Sequence, residues 1–135
     1  MKKITTIVFF IVVITSTISA SFIVYKSNDI ITEIGNVIKS GKASEVSKYF
    51  NSTLDLTTTD NEGTYSKTQA ELILKDFFTK NPPTSFTINH QGSSNDGSLY
   101  AIGNYLSGTA SFRTYFLLKK VNTGYLIQKL EFEKQ

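Results

Sequence analysis

His90 is the single imidazole in this chain and stands in Phe-Thr-Ile-Asn-His-Gln-Gly at residues 86–92. A histidine that moves protons needs a partner to fix its tautomer, most often a carboxylate. The eleven acids supply none in an obvious position. Asp55 lies between Leu54 and Leu56, and Glu131 and Glu133 alternate with Leu130 and Phe132, so these side chains point away from any apolar interior. Asp29, Glu33, Glu45, Glu71 and Asp76 read as solvated helix charges, and Asp60, Glu62 and Asp96 fall in turn sequence. With no cysteine, disulfides, thiolate nucleophiles and thiolate zinc sites are excluded, and one histidine does not make a typical metal site. No serine sits in a nucleophile-elbow pattern, and Ser93-Ser94-Asn95-Asp96 between Gly92 and Gly97 is turn material without phosphate-binding spacing. The expectation is a non-enzymatic domain without catalytic residues, metal or cofactor, in which His90 finishes a strand or lines a pocket.

The elements that would position these residues follow from periodicity. Ser27-Asn28-Asp29 can cap a helix whose Ile30, Ile34, Val37 and Ile38 share one face, and Gly41 ends it. A short helical turn over 43–50 precedes a β-branched strand at 52–59 and a turn at Asp60-Asn61-Glu62-Gly63. Ser66 and Gln69 form a capping-box pair ahead of Ala70, Ile73, Leu74, Phe77 and Phe78, and Asn81-Pro82-Pro83 stops that helix. Strands are expected at 85–91, 99–106, 110–121 and 125–133, separated by Gly-, Ser- and Asn-rich turns. Helices first, then sequential strands with short connections, predict an α+β domain with N-terminal helices packed on a curved antiparallel sheet.

Three stretches carry a family resemblance: GNVIKSGKASEVSKYF at 35–50, YSKTQAELILKDFFTKNPP at 65–83 and LYAIGNYLSGTASFRTYFLLKK at 99–120. They resemble the nuclear-transport-factor-two-like, or cystatin-like, superfamily, and more narrowly a small secreted family of domains of unknown function (family 4783). The resemblance brings no established substrate. It implies that the space between sheet and helices opens as a cone-shaped pocket, that the opposite sheet face serves homodimerisation or docking, and that an isomerase- or dehydratase-like enzyme in the cone is the alternative function.

Period-two alternation sorts the strands into faces. Phe112, Thr114, Phe116 and Leu118, with Leu126, Gln128, Leu130 and Phe132, Phe86, Ile88 and His90, and Tyr100, Ile102, Asn104 and Leu106, are expected beneath the helices. The polar members need partners, because an unpaired buried polar group costs about 1–3 kcal/mol. His90, Tyr100, Asn104, Thr114 and Gln128 are therefore the candidate ligand-binding set. The candidate interface is Tyr105, Arg113, Tyr115, Leu117, Tyr125 and Ile127, aromatic, aliphatic and arginine side chains of the kind favoured in protein contacts.

Lys2 and Lys3, an apolar run from Ile4 to Ile18 and the small residues Ser19-Ala20-Ser21 have the layout of a secretory signal over 1–21, with an uncleaved anchor over 4–25 as the alternative. A single domain would then occupy 26–135, secreted or periplasmic, or membrane-anchored if the leader is retained. The formal charge of +3 falls to twelve basic residues against eleven acidic once the leader is removed, too balanced for nucleic acid. The partners expected are a small molecule, another protein or a second copy.

Overall fold

Ile30, Ile31, Ile34 and Ile38 are all buried, and they define the inner stripe of α1 (Ser27–Ser40). The computed structural model describes residues 27–122 and 124–135; the leader and anchor expectations fall outside these residues. No helix among the described residues is long and apolar enough to cross a membrane. Gly41, at φ +68°, takes the left-handed position that closes α1, and a Cβ there would lie 2.8 Å from the Pro83 ring. The short α2 (Ala43–Ser47) then leads into β1 (Phe50–Thr57).

A tight turn follows, in which the Thr58 amide donates to the Asn61 carbonyl and the Thr58 hydroxyl accepts from the Asn61 amide. It returns the chain as β2 (Glu62–Ser66), a short strand that the turn-rich sequence does not announce. Ser66 and Gln69 make both halves of the capping box at the start of α3 (Lys67–Lys80). Beyond the prolines come β3 (Ser85–Ser93), β4 (Leu99–Ser107), β5 (Ala110–Val121) and β6 (Gly124–Lys134).

The six strands form one sheet in the order β2-β1-β6-β5-β4-β3, antiparallel except for β1 beside β6. The helices lie on one face of it, as the α+β expectation requires. Leu74, Phe77 and Phe78 of α3 join Phe112, Phe116, Leu118, Leu130 and Phe132 in a single core. Each such side chain contributes about 1.5–3 kcal/mol by leaving water.

Two bulges and one reversed strand change which residues face the helices. In β4 the inward set is Leu99, Ala101, Gly103 and Tyr105, the opposite of the expectation. The β4 sequence Leu-Tyr-Ala-Ile-Gly-Asn-Tyr-Leu is apolar on both sides, and the side with small residues is the one that lets neighbouring groups come close. A Cβ on Gly103 would sit 2.8 Å from the Phe86 ring and 2.7 Å from the Thr87 carbonyl oxygen. Between Ile88 and His90 the β3–β4 register shifts, so Ile88 packs on the core while His90 faces away, exposed. A second shift, opposite Leu117 and Leu118, makes Gln128 an extra residue in β6 and turns Ile127 inward.

Candidate functional site

The expected cone is filled with aromatic rings. Phe77 stacks on Phe132 with centroids 4.4 Å apart and meets Phe112 edge-on at 5.3 Å; Tyr105 lies 5.6 Å from Phe77 and 5.4 Å from Phe132. The Tyr105 hydroxyl donates to the Asn81 carbonyl at the end of α3, which satisfies the one polar atom of that ring. Burial pushes the Tyr105 phenol up from its ordinary value, so it stays neutral and remains a donor.

Of the five ligand-binding candidates, only Thr114 lies under the helices. His90, Tyr100 and Asn104 are on the opposite face, and Gln128 sits in the β6 bulge. Thr114 is fully buried, and its hydroxyl has no hydrogen-bond partner among the described residues. A buried hydroxyl without a partner carries its full desolvation penalty. Thr114→Val keeps the branched shape and removes that penalty, so it is expected to raise stability by about 1–2 kcal/mol in thermal or urea unfolding. A lower melting temperature would mean that the hydroxyl is satisfied in solution.

Tyr105, Tyr125 and Ile127 of the interface candidates belong to the helix side. Tyr105 and Ile127 are fully buried, and Tyr125 packs at the edge of the core. The parity error in β4 accounts for Tyr105, and the β6 bulge accounts for Tyr125 and Ile127. Arg113, Tyr115 and Leu117 do face outward, where the displaced residues join them.

That outer face has an aromatic and aliphatic half and a charged half. Ile102 is paired with Tyr115 and Tyr100 with Leu117 across β4 and β5, and all four are half-buried. The Tyr100 ring runs nearly parallel to Tyr115, with centroids 6.4 Å apart and planes at 27°. It also lies across Gly92, where a Cβ would come within 2.7 Å of its hydroxyl oxygen. His90 Nε2 is 3.1 Å from that hydroxyl, so the imidazole tethers the ring to the sheet. The partner of the imidazole is thus a phenol and not a carboxylate, and the arrangement resembles a side-chain clasp more than an acid–base pair.

Towards β6 and β1 the face becomes ionic. Arg113 lies 3.7 Å from Glu133, and Lys129 lies 2.6 Å from Glu131. The Glu131 carboxylate beside it holds the Lys129 ammonium above the usual lysine range. Asp55 accepts from the Thr64 hydroxyl at 2.6 Å, and with Glu62, Glu131 and Lys129 it borders a notch of about 170 Å³. Asn51 donates to Gln128 at 2.9 Å, and Gln128 reaches the Thr53 carbonyl at 3.5 Å, so this amide bridges the interrupted β1–β6 ladder. Asn104 accepts from Ser111 at 2.8 Å. No group of three or more His, Cys, Asp or Glu side chains among the described residues is arranged to hold a metal ion.

A six-stranded, mostly antiparallel curved sheet with helices on one face is the nuclear-transport-factor-two-like (NTF2-like) architecture. It is shared by an NTF2-like protein of unknown function from Cytophaga hutchinsonii at 8% identity, with a TM-score of 0.57 over 82% of this chain and 90% of that one. The particular group is narrower: residues 31–133 match the family model described as Domain of unknown function (DUF4783), and the chain belongs to that family. A DUF4783 family protein from Bacteroides uniformis is 28% identical, with a TM-score of 0.71 over 77% of this chain and 95% of that one. One from Bacteroides ovatus is 31% identical, with a TM-score of 0.70 over 76% and 92%. No curated protein is significantly similar to the chain.

Sequence reasoning overlooked one further feature. A crevice on the helix side contains Leu72, which falls outside the Ala70, Ile73, Leu74, Phe77 and Phe78 series that marks the buried face of α3. That break in spacing is its only trace in the sequence.

Proposed function

We propose that this protein is a secreted or envelope-associated, non-catalytic binding domain that works through the open face of its sheet, with a second copy of the chain as its partner. The observation that carries this reading is the cluster of Tyr100, Ile102, Tyr115 and Leu117 on a face that no described element covers. Aromatic side chains beside arginine are the composition that protein contacts favour. The charged half contains both signs, Arg113 and Lys129 with Glu131 and Glu133, which suits a self-complementary contact about a twofold axis. The aromatic filling of the cone favours the sheet face over an internal small-molecule pocket. The tyrosine partner of His90 favours binding over proton transfer. Secretion, or retention at the envelope, is supported by the basic and apolar composition of residues 1–21.

The test is sedimentation of the purified protein across a concentration series. A dimer is expected, and Tyr115→Glu, which places a carboxylate opposite Glu131, is expected to weaken it at least tenfold, while the like charges facing each other across β5 and β6 cost the monomer no more than about 1 kcal/mol. A native protein that stays monomeric at millimolar concentration would rule the reading out.

A further inference from the structure

The crevice between α2 and the outer flank of α3 is a half-open hollow of about 500 Å³, a volume within the range of small-molecule sites. Its lining includes Lys42, Ala43, Glu71, Leu72, Lys75 and Phe78. At 100° per residue, Leu72 projects almost opposite to Ala70, Leu74 and Phe77, and it is 63% exposed. A lone exposed leucine is ordinary. This one stands at the mouth of a crevice whose lining also includes the small exposed edges of Phe78 and Ala43, so an apolar ligand group would have contacts on more than one side.

The charges of the crevice are unequal. Lys48 is paired with Glu45, and Lys80 with Asp76 and Asp60, whereas the ammonium groups of Lys42 and Lys75 have no partner among the described residues. Glu71, the carboxylate in the crevice lining, accepts from the Ser47 hydroxyl at 2.9 Å and keeps its charge, so the two lysines leave the crevice with a net positive charge of about one. Two free cations beside an apolar surface complement a molecule with a short hydrocarbon chain and an anionic head.

We propose that the α2–α3 crevice is a binding site for an amphiphilic carboxylate, its chain lying against Leu72 and Phe78 and its head group shared by Lys42 and Lys75. The site is on the helix side of the domain, away from the sheet face assigned to self-association, and is independent of that assignment.

Sodium decanoate, below its micelle concentration, is the probe, followed by amide and methyl NMR shifts of the purified protein. Saturable shifts are expected at Ala43, Leu72 and Phe78. The Lys42→Gln/Lys75→Gln double variant should weaken binding at least tenfold, Leu72→Ser should weaken it severalfold, and added salt should weaken it through screening of the exposed ammoniums. Tyr115→Glu should bind decanoate as the native protein does, even where it disrupts the dimer. The proposal is overturned if no saturable shift occurs, if the shifts map elsewhere, if decanol binds as well as decanoate, or if the double variant binds unchanged. Capture of an acidic peptide in the crevice with no response to decanoate would also overturn it.

Discussion

Phe77→Ala is expected to destabilise the domain by about 3–5 kcal/mol, a large share of the total stability of a protein of this size. The ring is 2% exposed and lies against Phe78, Tyr105, Phe112 and Phe132. Its removal takes away its own transfer free energy and also the contacts of four other aromatic groups, which are held by separate elements and cannot all move in to close the gap. For a domain of about 100 residues each 1 kcal/mol shifts the melting temperature by roughly 4–8 °C, so a fall of well over 10 °C should be evident by calorimetry. Urea midpoints should move without a change in slope if the denatured state is unaffected. A loss below about 1 kcal/mol would mean that the rings do not pack as described, and it would reopen the cone as a ligand cavity.

The second large effect is expected at Gly103. A methyl group there meets the Thr87 carbonyl oxygen at 2.7 Å as well as the Phe86 ring at 2.8 Å. A flexible side chain can swing aside, but a backbone oxygen moves only with its strand. Gly103→Ala should therefore push β3 away from β4 and cost about 1–3 kcal/mol, as overpacking usually does. Hydrogen exchange should quicken most at the β3–β4 amides, because β3 is an edge strand with β4 as its only sheet neighbour among the described residues. Gly124→Ala, where a Cβ would meet nothing within 4 Å among the described residues, is the control and should change stability by no more than ~0.5 kcal/mol. Equal effects at the two glycines would remove the close approach of β3 and β4 as the reason Gly103 lies inward.

The two halves of the candidate site were unequally legible. Arg113, Tyr115 and Leu117 were placed correctly because β5 is long and its Phe112, Phe116 and Leu118 mark one side without ambiguity. His90, Asn104 and Gln128 were expected as polar interruptions of the helix-facing side, and they are not on it, because their side of the sheet was not encoded in their own segments. Strand alternation gives parity only relative to a fixed register, and each bulge inverts it downstream. The Gln128 bulge forms where β6 meets both β5 and β1, so it depends on residues far away in the chain such as Asn51.

Local chemistry, then, was enough to specify the helices, the strands of the second half and their family. Capping at Ser66, the proline stop after Asn81 and the turns between strands each act within a few residues, where the chain itself supplies the partners. The inward side of β4, the outward turn of His90 and the parallel pairing of β1 with β6 were decided by tertiary packing. In each case two arrangements satisfy the local sequence about equally, and close approach across strands distant in the chain selects between them.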